Sequence, residues 1–388
     1  MPKVIVGMSG GVDSSVAAYL LREKGYEVEG LSFILWEKRG KTDFGTCCSL
    51  QAVEEAAKTA KYIGIPHRIA DVKNIFVEKV IEPFMNAYAA GLTPNPCILC
   101  NRLIKFPILI KEAEKRNAEF IATGHYARVE PAQGTGQRAQ SKNNLLTLLK
   151  KGLDPKKDQS YVLYILNQDK LKKLVLPLGH YKKDKIREIA KDIKLPAAKR
   201  AESQEVCFVE DRNYFKFIEK LTPLAGKSGP IIDMTEKVIG THKGIHAYTI
   251  GQRKRLGIAH KKPLYVVKID VLKNAIYVGA REDAKEKEFY VEDLNWIIPP
   301  IHPLLKGGEG GLSFKASVKV RSMMKDEPAT IFLETSYDLR APGTEQKKSH
   351  EVVRLVFDKP QWAPASGQSA VFYNDDVVIG GGIIRISS

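Results

Sequence analysis

Near the start of the chain, Gly7-Met8-Ser9-Gly10-Gly11-Val12-Asp13-Ser14-Ser15 crowds glycines, hydroxyls and one carboxylate into a short stretch. Glycines let a backbone turn tightly and approach a ligand closely. Where such a turn opens a helix, the first N–H groups and the helix dipole attract phosphate. Ser9, Ser14 and Ser15 add hydroxyl donors. Asp13 is an odd neighbour for phosphate unless a cation intervenes, which points to Mg²⁺. The loop lacks the Gly-Lys-Ser/Thr ending of a Walker A loop and is not a GxGxxG turn. A ligand-free glycine turn is the plainer alternative, and the serines and aspartate at this position weigh against it.

Thiols form the second reactive set. Cys97 and Cys100 make a CxxC within Thr93-Pro94-Asn95-Pro96-Cys97-Ile98-Leu99-Cys100-Asn101-Arg102. The two prolines hold the approach extended. A helical pattern through Ile104, Ile108 and Leu109 follows, so Cys100 is expected near a helix N-terminus. There the dipole, Arg102 and Lys105 would favour a thiolate. Cys207 stands in Glu202-Ser203-Gln204-Glu205-Val206-Cys207-Phe208, just after Lys199 and Arg200. A thiolate there could carry a persulfide, which a second thiol could resolve as a disulfide. Other readings stay open. Buried structural cysteine best fits the Cys47-Cys48 pair. Zinc would need a fourth ligand that no second CxxC or spaced His pair supplies. Three cysteines with an open fourth position would suit a 4Fe–4S cluster.

These residues need a scaffold, and 388 residues are enough for two or three domains. Hydrophobic content of 44% and charged content of 27% are those of a soluble globular protein. There is no apolar run of about eighteen residues, so no membrane span is expected. The opening Met-Pro-Lys-Val-Ile-Val enters a strand directly, without the apolar stretch of a signal peptide. Five cysteines do not make a disulfide scaffold, and a cytoplasmic location is expected. A net charge of +16 favours a polyanionic partner, above all nucleic acid. The basic residues cluster at Lys150, Lys151, Lys156 and Lys157, between Lys170 and Arg187, and at Arg253, Lys254, Arg255, Lys261 and Lys262.

Residues 1–212 alternate short apolar runs with helical patterns, which argues for a doubly wound, mostly parallel α/β sheet. Strands are expected at 4–6, 28–35, 68–71 and 120–123, and helices at 14–24, 50–63 and 76–90. Gly25 and Gly64 stop two of the helices. Beyond this the texture turns to alternating short strands around Lys273-Asn274, at 313–320, 329–333, 352–357 and 370–373, and after Asn374-Asp375-Asp376. That reads as small antiparallel β-domains or a barrel, divided at 213–280 and 281–388. Residues 132–144, polar and rich in Gly and Gln, read as a mobile hairpin tip, and Gly307–Gly311 as a loop.

The opening loop resembles the PP-loop of the ATP-pyrophosphatase superfamily, whose members split ATP to AMP and pyrophosphate and adenylate a carbonyl oxygen. The whole chain is similar to the tRNA-specific 2-thiouridylases. That resemblance rests on SGGVDSS (9–15), TPNPCILCN (93–101), TGHYA (123–127), KDQSY (157–161), SQEVCF (203–208), YTIGQRKRLGI (248–258), GQSAVFY (367–373) and GGGII (380–384). It implies a sulfurtransferase that adenylates O2 of the wobble uridine in the tRNA anticodon arm and replaces that oxygen with sulfur. By the same resemblance Gly7 to Ser14, with Phe33 and Gly124, would bind ATP. Cys100 would be the nucleophile and Cys207 the persulfide carrier, the two closing a disulfide. Asn95, Pro96 and Cys97 would contact the target base, and His125, Lys157, Asp158, Gln159, Arg321 and Gln368 the tRNA. A sulfur donor and a reductant are implied without being identified. Two positions depart from the family: Cys97 stands where many members have Asp, and Ser322 follows Arg321 where a Tyr is usual. A small-molecule PP-loop ligase would explain the loop but leave the thiols and basic clusters idle.

Overall fold

The computed structural model describes residues 1–35, 50–132, 146–199, 206–209, 217, 227–300, 313–337 and 349–386. Cys47, Cys48, Arg200, residues 202–205, the loop 133–144 and Gly307–Gly311 lie outside the described residues. The chain forms two compact units. The first comprises Met1–Ile81, Pro96–Val209 and Asp376–Val378, the second Glu82–Asn95, Glu210–Asp375 and Ile379–Ser388.

The first unit is built on a parallel five-stranded sheet. Its order is His67–Asp71, Glu27–Ile34, Lys3–Gly7, Phe120–Ala122 and Leu174–Val175. Val4 and Val6 point to one face and Ile5 to the other, as pleating requires. On the face of Val4 and Val6, helices Val12–Glu23, Leu50–Ile63 and Lys183–Asp192 share one core through Val16, Leu21, Ala56, Ala60 and Ile186. Helix Phe106–Lys115 packs against the strands Lys3–Gly7 and Phe120–Ala122 from the other side, its Leu109 lying over Gly7. The central strand is flanked by one strand that follows it and one that comes much later in sequence. Its C-terminal end is therefore the switch point at which open α/β sheets bind ligands.

The helix expected over 76–90 runs as Lys73–Phe76, a wider π turn at Val77–Ile81, then Glu82–Ala89. The run carrying the CxxC does the same: Pro96–Cys100, a π turn at Asn101–Lys105, then Phe106–Lys115. Each π turn ends two residues before a proline, Pro83 and Pro107, and contains the carbonyl four residues before it. Proline lacks an N–H and collides with the carbonyl four residues earlier, and widening the turn relieves that collision. The antiparallel pairing of Ala127–Pro131 with Thr147–Lys151 flanks the segment expected as a hairpin tip.

The second unit holds a four-stranded sheet and a six-stranded barrel. In the sheet, the Tyr265–Asp270/Ala275–Gly279 hairpin turns at Asn274 in a left-handed conformation (φ 47). Ala275–Gly279 pairs in parallel with Gly229–Asp233, a departure from the all-antiparallel expectation. The barrel runs Lys285–Trp296, Ser349–Trp362, Glu327–Tyr337, Ser313–Lys319, Ser369–Asn374 and Val377–Arg385. It closes where the first strand pairs with the last, from Tyr290↔Arg385 to Trp296↔Gly380. Strand Lys285–Trp296 went unrecognised because its charged residues mask the alternation. No helix among the described residues is long and apolar enough to cross a membrane.

Candidate active site at the opening glycine loop

The loop 8–11 leaves the central strand at the switch point. Met8 N donates to Leu31 O at 2.8 Å, which ties the loop to the neighbouring strand. Gly10 adopts φ 73, a left-handed conformation that a side chain would strain. Ser14 Oγ accepts from Ser9 N at 3.1 Å and donates to Gly11 O at 3.1 Å. Ser15 Oγ donates to Gly11 O at 2.9 Å. The serines thus organise the loop as well as offering hydroxyls. The helix begins at Val12, so its first N–H groups, which have no intrahelical acceptor, follow directly from the loop.

A second network lies beneath. Ser32 Oγ donates to Met8 O at 2.7 Å and meets His67 Nε2 at 2.8 Å. The serine proton is committed to Met8, so His67 donates from Nε2. Burial lowers the His67 pKa, consistent with a neutral ring. Phe33, on the same strand as Ser32, is buried. Gly124 closes the loop from the adjacent strand: a Cβ there would sit 2.8 Å from Asp13 C and 2.8 Å from Ser14 N. Only glycine lets these two backbones approach so closely.

Asp13 does not stand open. Lys183 Nζ reaches both its oxygens, at 2.6 and 2.8 Å, and Tyr126 Oη donates to Oδ1 at 2.6 Å. The Lys183 side chain is only 6% exposed, against 34% for Asp13. Magnesium demands near-ideal octahedral oxygen geometry, and a carboxylate already bridged by an ammonium does not provide it. The residues do not fit a metal ion held directly on Asp13, contrary to the expectation above. Any magnesium arriving on a nucleotide is part of that substrate.

Tyr126 links this centre to residues 157–159. Gln159 N donates to Tyr126 O at 2.9 Å, and Gln159 Oε1 accepts from Tyr126 N at 3.0 Å. Asp158 is engaged internally, accepting from Gly152 N, Ser160 N and Ser160 Oγ, each at 3.0 Å. Lys157 is partly exposed beside them. His125 Nδ1 lies 2.7 Å from Thr123 Oγ1, and its ring stacks on Phe106. Burial, and then nearby Lys105, lower its pKa to about 3, so the ring is neutral near pH 7. Sequence reasoning missed Lys183, Tyr126, Ser32 and His67 as parts of this centre. Tyr126 stood inside a quoted motif, but Lys183 was counted only as one member of a basic cluster.

The thiols belong to the same unit. Cys100 is buried, Cys97 exposed and Cys207 partly exposed, all unbridged. Phe208, beside Cys207, packs its ring edge-on against Phe76 at 5.6 Å. Helix Pro96–Cys100 packs against Val77–Ile81. The helical run 73–81 is thus a shared support for both cysteine segments. Asn101 Nδ2 donates to Val162 O at 3.1 Å, tying the CxxC helix to the turn that follows Gln159. No set of three or more His, Cys, Asp and Glu side chains converges as a metal centre among the described residues. Cys97, Cys100 and Cys207 therefore do not fit a preformed 4Fe–4S ligand set.

The remaining predicted residues lie in the second unit. Gln368 Nε2 donates to Thr93 O at 2.8 Å, and Thr93 N to Ser366 O at 2.9 Å, which anchors the segment leading to Asn95. Arg321 Nη2 donates to Ile250 O at 2.9 Å and Ala363 O at 2.7 Å, so it ties the segment around Ile250 to the end of strand Ser349–Trp362. Of the basic clusters, Arg253, Lys254, Arg255, Lys261 and Lys262 are exposed. Lys150, Lys173 and Lys185 are ion-paired with Glu130, Glu114 and Glu188.

Three family models cover the chain. That of the tRNA methyl transferase HUP domain matches residues 2–211, that of the tRNA methyl transferase PRC-barrel domain 216–280, and that of the aminomethyltransferase beta-barrel domain 286–384. The tRNA-specific 2-thiouridylase MnmA of Clostridioides difficile is 41% identical over 387 residues, 99% of this chain and 98% of that protein. MnmA 2 of a Thermoanaerobacter species is 45% identical over 386 residues, again 99% and 98%. MnmA of Clostridium acetobutylicum is 43% identical over 385 residues, 99% of both. Among solved structures, a 4-thiouridine synthetase–RNA complex with bound ATP is similar at 18% identity and a TM-score of 0.35, over 57% of this chain and 50% of that one. That likeness is too slight to bear on function.

Proposed function

The chain belongs to the tRNA-specific 2-thiouridylase family, and on that footing we propose that it replaces O2 of the wobble uridine in tRNA with sulfur at the expense of ATP. The observation that carries this reading is the loop 8–11 at the sheet's switch point, in the same unit as Cys100 and Cys207. The limits 1–212, 213–280 and 281–388 belong to the same proposal, and the ranges of the matching family models support them.

In this reading Gly7 to Ser14 cradle the phosphates, with Phe33 and Gly124 beside the nucleotide. The target uridine is flipped out of its stack, as base-modifying enzymes require. Its O2 attacks the α-phosphorus, the bond to the β-phosphate oxygen breaks, and pyrophosphate leaves with the electron pair. The uridine N3 proton leaves to the released pyrophosphate. The adenylated oxygen is now a good leaving group. The terminal sulfur of a Cys207 persulfide attacks C2, losing its proton, and AMP departs with the old oxygen. The Cys100 thiolate then attacks Cys207 Sγ. A Cys100–Cys207 disulfide forms, and the 2-thiouridine sulfur leaves with the electron pair and is neutralised by a proton returning to N3. A thiol reductant and a sulfur donor must restore the persulfide. Asn95, Pro96 and Cys97 would meet the base, and His125 and Lys157 the tRNA. The inward-turned carboxylate of Asp158, and the bonds of Gln159, Arg321 and Gln368, support a role for those four in holding the tRNA-facing segments.

Mass spectrometry of anticodon nucleosides after incubation with ATP, tRNA, a persulfide donor and a thiol reductant tests the reading. 2-Thiouridine that forms only with ATP supports it; unmodified uridine under those conditions refutes it.

A further inference from the structure

A carboxylate in a phosphate-binding loop is an electrostatic liability. A nucleotide triphosphate brings several negative charges, and each like charge held within a few ångströms disfavours its binding. The usual answer is a bridging metal ion, and the geometry around Asp13 gives a different one. Lys183 enters from the start of helix Lys183–Asp192, distant in sequence, and spans both carboxylate oxygens at 2.6 and 2.8 Å. Its stem is buried, its backbone N–H is anchored on Asp154 Oδ2 at 3.0 Å, and its ammonium lies 5.7 Å from the Tyr126 ring centroid. Tyr126 Oη completes the carboxylate at 2.6 Å. An ammonium this deeply placed costs several kcal/mol unless paired, so the pair is a built feature of the fold and not a chance surface contact.

We propose that Lys183 is a positioning residue for adenylation. Its fixed charge neutralises Asp13, in the place a metal ion would otherwise take, and so makes the loop acceptable to the triphosphate. Asp13 in turn holds the cation beside the departing pyrophosphate. This rests on the ATP-dependent reading above. It predicts opposite signs for the two halves of the pair. Removing Lys183 leaves a bare negative charge under the phosphates, whereas removing the Asp13 charge leaves a positive one.

The test is equilibrium dialysis of labelled ATP in saturating magnesium, without tRNA, on the native chain, Lys183→Met, Lys183→Arg, Asp13→Asn and the Lys183→Met/Asp13→Asn double variant. Folding of each is checked by circular dichroism. We expect Lys183→Met to weaken binding tenfold or more and Lys183→Arg to restore most of it. Asp13→Asn, which leaves a positive charge under the phosphates, should bind several-fold more tightly than native, and the double variant should recover most of the loss seen in Lys183→Met. Native affinity in folded Lys183→Met would overturn the proposal. So would a tenfold loss in Asp13→Asn, the signature of a lost metal ligand. If Lys183→Met does not fold, the double variant carries the test, since it leaves no bare charge: tenfold weaker binding than native by this variant would equally overturn the proposal. A native chain that binds no ATP would bring down the functional reading, and this inference with it.

Discussion

Gln159 and Tyr126 hold one another at two points, Gln159 N on Tyr126 O at 2.9 Å and Gln159 Oε1 on Tyr126 N at 3.0 Å. Tyr126 then donates its hydroxyl to Asp13. A segment expected to touch tRNA is thereby joined, through one residue, to the loop expected to hold ATP. Gln159→Ala strips an acceptor from a buried amide, which costs about 1–3 kcal/mol. We expect a lower urea midpoint and slower pyrophosphate release, with ATP affinity changed less than turnover. Tyr126→Phe should cost about 1 kcal/mol and leave the backbone pairing intact. Native turnover in both variants would dissociate the two segments.

Gly124→Ala places a methyl group 2.8 Å from backbone atoms of Asp13 and Ser14. Backbone cannot swing aside as a flexible side chain would, so we expect about 1–3 kcal/mol of destabilisation from overpacking. ATP affinity should fall together with stability, because the first turn of the helix must move. Denaturant midpoints and nucleotide titration report the two effects separately.

Cys207→Ser should abolish 2-thiouridine formation while ATP binding and tRNA-dependent pyrophosphate release persist, since the thiol enters only after adenylation. Cys100→Ser should likewise stop turnover, and after one sulfur transfer leave tRNA linked to Cys207 in a form that a thiol reductant releases. Thiolation near the native level in either variant removes that residue from the mechanism. Cys97→Asp should do far less, since Cys97 is exposed and belongs to no metal-binding set among the described residues.

His125 is held neutral in the folded chain, its pKa lowered to about 3. Unfolded, the same ring takes up a proton near its ordinary value of 6.5. Above that pH neither state is charged and the residue adds no pH dependence. Below it the unfolded state binds the extra proton, so stability falls as pH drops from about 6.5 toward 3, by up to about 1.4 kcal/mol per unit. His125→Asn should flatten this limb of the stability–pH curve; an unchanged slope would show that the ring is protonated in the fold.

Much of this was legible before any coordinates. The loop, the alternation of strand and helix in the first half and the helix stops at Gly25 and Gly64 are local signals, and Gly25 and Gly64 do adopt left-handed φ of 81 and 68. What was hidden is non-local. Lys183 lies 170 residues from Asp13, and nothing in its neighbours marks it off from the solvated lysines around it. The π turns at 77–81 and 101–105 arise from prolines acting on carbonyls a turn earlier, which periodicity does not register. Arg321 stands as a tRNA contact only through the family resemblance, and its local sequence gives no sign that its guanidinium donates to two backbone carbonyls of its own unit.

The central claim is that the uridine oxygen leaves as part of AMP. Single-turnover reaction of tRNA carrying a heavy-oxygen label at uridine C2, with ATP and a persulfide donor, measures this directly by mass spectrometry of the AMP produced. The account predicts that the label appears in AMP in proportion to the 2-thiouridine formed. Thiolated tRNA accompanied by unlabelled AMP would contradict it.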